Sequence, residues 1–335
     1  MKLFNANVNF KVGKLVLVDD VVLSDVVVNA KLKDGVLNVS KMTANIGGGS
    51  LNISAKVNSS QQDVSINLLT DNLKIQDLYQ SLSIGQSGGL QVLNGGDLDI
   101  VANLSSSGKT YRRLSENLEG QVIAIVDKSE IRTGKFKWFA NNIFSQLLSI
   151  LGIDTENNTD MEVQCVVLRS DIAAGKAKFP DGIVFDASKL KVISKGEINL
   201  VNDKIDFTIA PSLNKLADGN ITQALASFVK VRGTLNNPKL SIDKSSALTT
   251  VVGSVMTGGA YFGGEVLMNG DSSPCYTALK GTKYENRFPK STDIKATTKD
   301  VYNDIGKQAK STVKELENVA KDLLGSFKDS FKKGN

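Results

Sequence analysis

Cys165 and Cys275 are the two cysteines of a 335-residue chain that contains no histidine. Without an imidazole there is no Ser-His-Asp or Cys-His catalysis, no histidine-containing zinc site and no side chain that titrates near neutrality of its own accord. The two thiols stand 110 positions apart in no CxxC or metal-ligand spacing, which leaves open two independent residues or a disulfide. Cys275 follows Pro274, and with no histidine to activate it an inert thiol or a disulfide is the reading, rather than a nucleophile. Asp97 and Asp99 alternate onto one side of an apolar strand and read as a solvent-facing pair rather than a catalytic one. Gly253, Gly258, Gly259, Gly263 and Gly264 form no ordered G-x-G-x-x-G after a strand and read as close packing, not a phosphate cradle. No catalytic residue, cofactor or metal site is expected, and the chain reads as non-enzymatic.

The charges point the same way. Lys and Arg number 40 against 35 Asp and Glu, and of these 13 and 8 lie from Lys280 onward, leaving 27 of each sign in the body. A neutral body with a basic tail offers no clustered Lys/Arg groove, so no nucleic-acid partner is expected. Met1 to Lys14 has no basic n-region followed by an apolar run, so neither a signal peptide nor a membrane anchor is read there. Ser245 to Gly264 is free of charge but rich in Gly, Ser and Thr, too polar for a span.

The elements behind these residues are mostly strands. Val26, Val28, Ala30 and Leu32 alternate with Asn29, Lys31 and Lys33, and the same period of two recurs in Leu51, Ile53, Ala55 and Val57, in Val64, Ile66 and Leu68, in Leu98, Ile100, Ala102 and Leu104, and in Ile205, Phe207 and Ile209. A period of two with one apolar side is the signature of a strand that is dry on one face. Asp34-Gly35, Gly47-Gly48-Gly49, Gly88-Gly89, Asn94-Gly95-Gly96 and Asp181-Gly182 supply the positive φ that tight hairpins need, so the topology reads as an antiparallel meander.

Three segments break the period. Ile75 to Leu82 reads as a short helix, and Trp138 to Leu151 places Phe139, Ile143, Phe144, Leu147, Leu148 and Leu151 at helical spacing, as a lid or plug on the sheet. From Lys299 to Phe331 apolar residues return at helical intervals over about 50 Å. The division that results is a β region over 1–268, a linker over 269–291 containing Pro274 and Pro289, and a basic amphipathic helical tail over 292–335.

A long sheet with one apolar face has to cover it with a second sheet, a barrel closure, helices or lipid. Aromatic residues make up only 6% of the chain, too few for the girdles of an outer-membrane barrel. The inward residues of the first 130 are Val, Ile, Leu and Ala, and such a lining suits a smooth trough for acyl chains.

The order of the strand units resembles that of AsmA-like envelope proteins. The unit Leu32-Lys33-Asp34-Gly35-Val36-Leu37, then Gly47-Gly48-Gly49-Ser50-Leu51-Asn52-Ile53 and Val64-Ser65-Ile66-Asn67-Leu68, is similar to the repeating strand unit of that family. Gly95-Gly96-Asp97-Leu98-Asp99-Ile100 with Ser107-Gly108-Lys109 and Leu118-Glu119-Gly120 resembles its central segment. Gly196-Glu197-Ile198-Asn199-Leu200, Val231-Arg232-Gly233-Thr234-Leu235-Asn236-Asn237-Pro238-Lys239-Leu240 and Ser273-Pro274-Cys275 resemble its later elements. The likeness covers roughly residues 20 to 280 and corresponds to the family's C-terminal region. It implies a Gram-negative cell-envelope protein on the periplasmic side, membrane-associated, with an elongated β-groove that carries phospholipid or supports outer-membrane assembly. The family is anchored by an N-terminal helix, whereas Met1 opens here into strand-like sequence, as a fragment or a shortened member would.

The fold expected is therefore mainly β: an elongated, twisted antiparallel sheet curled into a groove, with an inserted amphipathic helix and a C-terminal helical tail. The function expected is phospholipid binding in the groove, in support of lipid transport and outer-membrane biogenesis, with membrane or envelope proteins as further partners. The alternative is an assembly factor that affects outer-membrane protein targeting without carrying lipid. The lipid-contact residues expected are the five alternating sets named above.

Overall fold

Residues that alternate in sequence must find partners that alternate in step, and the backbone does this over most of the chain. A computed structural model describes residues 4–17, 22–81, 91–133, 159–188, 190–213, 229–242 and 273–290. Strands β1 (Ala6–Val16), β2 (Val22–Lys33), β3 (Val36–Ile46), β4 (Gly49–Asn58) and β5 (Asp63–Asp71) open an antiparallel ladder. It continues through β8 (Asp97–Ser107), β9 (Glu119–Val126), β11 (Thr159–Ala173), β12 (Lys176–Ala187), β13 (Leu190–Asn199), β14 (Lys204–Leu213), β15 (Val229–Thr234) and β16 (Asn237–Ile242). Short strands β6 (Leu73–Lys74), β7 (Gln91–Gly95) and β10 (Ser129–Thr133) branch from this path, β6 on β8, and β7 with β10 on β11. The mainly β, single-sheet antiparallel architecture is the one expected from alternation.

The short helix expected at Ile75 is present as α1 (Ile75–Ser81). A second, α2 (Tyr111–Glu116), is capped by Thr110, whose hydroxyl accepts from the Arg113 amide at 3.2 Å. The helix read at 138–151, the tail over 292–335, the glycine series of 253–264 and Gly88-Gly89 lie outside the described residues. The chain divides into two compact units, Met1–Thr249 with Ser273–Pro289, and Thr250–Ser272 with Lys290–Asn335. Apart from Lys290, the described residues belong to the first.

Turn chemistry is partly as expected. Asp34 and Gly35, at φ 50 and 76, and Gly47 and Gly48, at φ 50 and 70, make two-residue hairpins, whose backbone twist matches the right-handed twist of the strands. Asp181-Gly182 does not turn the chain. It sits inside β12 at a bulge between Phe179 and Ile183, where Gly182 has φ 82 and a Cβ would stand 1.7 Å from the Ser194 carbonyl oxygen. The hairpin of β11 and β12 is made instead by Ala174-Gly175, with Ala174 at φ 48, a non-glycine residue in a region that costs it about 1 kcal/mol. Asn94-Gly95-Gly96 likewise joins β7 to β8 without pairing them, since β7 is bonded to β10.

Residues 269–291 were expected to be a linker, yet Ser273–Pro289 is packed. Helix α3 (Pro274–Leu279) lies on β11 and β12, and Cys275, Ala278 and Leu279 are fully buried. Cys275 is bonded to Cys165 of β11, with Cα atoms 6.5 Å apart, which settles the pairing that the spacing left open. Proline at the first helical position and serine before it read equally well as a helix start; what no local signal shows is the partner surface.

Candidate functional site

Cross-strand partners in an antiparallel pair share a face, so the register decides which alternating sets meet. Phe10 pairs with Val28, Val28 with Met42, Met42 with Ile53, Ile53 with Leu68, Leu68 with Ala102, Ala102 with Val122, and Val122 with Ser170. The adjoining rung runs from Ala30 through Val39, Ala55 and Ile66 to Leu104 and Gly120. Past β12 the same side continues as Phe179, Gly196, Phe207, Val231 and Leu240, flanked by Ile198, Ile205 and Ile209. Bulges in β2, β3, β11 and β12 absorb odd residues and return the alternation to phase, as an extra residue in one strand does.

All five predicted sets therefore lie on one apolar face that crosses the whole sheet. Val26, Ala102, Ile205 and Phe207 are buried in it. Val28, Ala30, Leu32, Leu51, Ile53, Ala55, Val64, Leu68, Leu98, Ile100, Leu104 and Ile209 are half-buried, and Val57 and Ile66 are exposed. Sequence reading missed Val8, Phe10, Val12, Leu37, Val39 and Met42 on the same face, although β1 and β3 alternate as well. It also missed Val122, Val166, Leu168, Phe179 and Ile183, because two bulges interrupt the period there.

One rung of the opposite face is polar from β4 to β16. Ser54, Asn67, Asn103, Gln121, Asp171, Lys178, Glu197, Asp206, Arg232 and Lys239 occupy a single rung. Asn67 Nδ2 donates to Ser54 Oγ at 3.3 Å, Gln121 Nε2 to Asp171 Oδ1 at 2.7 Å, and Arg232 Nε to Asp206 Oδ2 at 3.2 Å.

In the centre of the sheet this pattern reverses, and the expectation of strands dry on one side only fails. Ile125, Val167, Val184 and Ile193 form a buried apolar rung on the outer side of β9, β11, β12 and β13. Leu279 of the packed segment Ser273–Pro289, the strap, adds a fully buried side chain on this side, worth about 2 kcal/mol. Asp99, expected to face solvent, is buried beneath the same cover: its carboxylate accepts from the Asn72 amide at 2.8 Å and pairs with Arg287 Nη2 at 2.8 Å. Arg287 also forks onto Asp127, with Nε 3.0 Å from Oδ1, and this pairing raises its already high pKa. Arg169 Nη1 donates to the Lys280 carbonyl at 2.8 Å. Asp186, opposite Cys165 in the register, has its pKa raised by burial, an effect that Lys191 at 3.7 Å opposes.

Among the described residues of this constellation the charged groups pair with one another or with backbone carbonyls. No group of three or more His, Cys, Asp or Glu is placed to hold a metal there, and no described helix is long and apolar enough to cross a membrane. What the sheet offers is area.

The model of the AsmA family matches residues 2–181. The chain belongs to the AsmA family. The match takes in the strands from β1 into β12, including the Asp34-Gly35, Gly47-Gly48-Gly49 and Gly95-Gly96-Asp97 units, while Gly196, Val231 and Ser273 lie beyond it. AsmA membership points to an envelope- and lipid-related role. Comparison with curated proteins and with solved structures gives no match.

Proposed function

We propose that this AsmA-family chain binds phospholipid acyl chains on the apolar face of its sheet and supports lipid transport and outer-membrane biogenesis on the periplasmic side of a Gram-negative envelope. The observation that carries this reading is the register-aligned apolar face running from β1 to β16 with a polar rung directly behind it. Each methylene buried there contributes about 0.8 kcal/mol. Neighbouring rungs present the same aliphatic lining, so the energy changes little as a chain moves across them. The headgroup stays in water, and no chemical step is required.

The Cys165–Cys275 bond supports the compartment, because structural disulfides persist in the periplasm and are rare in reducing cytosol. Curling of the sheet would complete the groove around the acyl chains, and membrane or envelope proteins are the further partners.

Ile53 and Ser54 are neighbours that face opposite sides, which makes them a matched pair for photocrosslinking in living cells. A crosslinking residue at position 53, and not at 54, is expected to yield phospholipid adducts by mass spectrometry. If neither site captures lipid in folded, abundant protein, the face is covered by protein and the assembly-factor reading replaces this one.

A further inference from the structure

The apolar face differs between its two halves. Toward the N-terminus its large side chains are open: Val8, Phe10, Leu37, Val57 and Ile66 are between 38% and 49% exposed. No residue on the same face from β8 to β16 is among the exposed large hydrophobics of the described chain. There the face is closed by its own side chains, in a cluster of Ala177, Phe179, Ile205, Phe207 and Val231 joined by Leu168, Ile183 and Ile198.

At the centre of this cluster is a glycine between two aromatic residues. Gly196 of β13 pairs with Phe179 on one side and Phe207 on the other, and the two rings meet with centroids 5.1 Å apart. A Cβ on Gly196 would stand 2.6 Å from Phe207 Cδ1, so the missing side chain is the space the ring occupies. Phe179 and Phe207 are 5% and 9% exposed. Aromatic cover of a strand glycine accounts for local stability. Here it also lies across the apolar face, within the closed half.

We propose that the Phe179–Gly196–Phe207 closure bars acyl chains from the far part of the face, so that they occupy the open strands β1–β5 and advance over β13–β15 only when the two rings part. This inference rests on the acyl-binding reading above and makes Phe179 and Phe207 positioning residues for the hydrocarbon. An extended chain lies readily along Ile53, Leu68 and Ala102 but meets two rings already packed together when it reaches Phe179. Aromatic pairs of this kind are held by more than their buried area, which gives the closure a resting state that aliphatic side chains would not supply.

The full chain would be incubated with phosphatidylcholine vesicles containing a phosphatidylcholine that bears a diazirine on its acyl chain, irradiated, and mapped by peptide mass spectrometry. Adducts on β13–β15 are expected to be about tenfold fewer than on β3–β5, equivalent to about 1.4 kcal/mol in favour of the closed rings. Phe179→Leu with Phe207→Leu is expected to bring the two regions to comparable labelling while β3–β5 are unchanged. Should the double variant fail to fold, Phe207→Leu alone is expected to shift labelling in the same direction. Comparable labelling of both regions in the unaltered chain would overturn the closure and leave acyl binding standing, as would folded variants with no gain over β13–β15. Absence of adducts from both regions would remove the acyl-binding reading, and the closure with it.

Discussion

Removing the Cys165–Cys275 bond cuts the covalent tie between strap and sheet without touching the apolar face, because Cys165 lies on the rung side shared with Val167. The bond closes a loop of 110 residues, for which the chain-entropy relation gives about 5 kcal/mol of stabilisation through the unfolded state. Cys165→Ala with Cys275→Ala is therefore expected to lower the unfolding free energy by about 3–5 kcal/mol. The strap keeps the buried Leu279 side chain and the Arg287 pairs with Asp99 and Asp127, so it should still dock, but open more often. Urea unfolding followed by far-ultraviolet circular dichroism, with and without reductant, measures the first effect. Tryptic cleavage after Lys280 and Lys283, both exposed, measures the second and should accelerate on reduction. Lipid capture at Ile53 should persist. A midpoint that moves by less than the equivalent of about 0.5 kcal/mol, together with unchanged cleavage, would show that side-chain packing holds the strap without the bond and refute the entropic argument.

Ile66→Asp places a charge on the open half of the apolar face at a residue 39% exposed; it should cost under about 1 kcal/mol of stability and abolish adducts at position 53, and retention of those adducts in the folded variant would argue against acyl occupancy. The buried Asp186 binds its proton more tightly in the folded chain than in the unfolded one, so its contribution is full below the unfolded carboxyl pKa and is lost as pH rises through the raised folded value. Relative to the parent, Asp186→Asn should gain stability across that window, and parallel stability curves against pH would contradict the assigned cause. Gly182→Ala forces a Cβ against the Ser194 carbonyl at a φ of 82°, and a loss of at least about 2 kcal/mol is expected in urea melts; an unchanged midpoint would mean that the bulge relaxes.

The alternating runs determined strand identity, the antiparallel sheet and the common face of the five predicted sets, because a period of two leaves a residue only two sides to occupy. Asp34-Gly35 and Gly47-Gly48 were legible as hairpins for an equally local reason, the positive φ that such turns require. The same reasoning failed where the cause was distant. Asp181-Gly182 has the composition of a turn, yet the pairing of β12 with both β11 and β13 continues past it, and makes it a bulge. Ile125, Val167, Val184 and Ile193 are buried on the outer side, where α3 packs on β11 and β12, a partner that alternation does not show. Asp99 is drawn under the same cover by Arg287, which lies 188 positions further along the chain. The disulfide, the buried carboxylate and the Phe179–Phe207 closure all depend on which segments are brought together. Periodicity describes a strand's two faces; the tertiary pairing alone decides what lies against them.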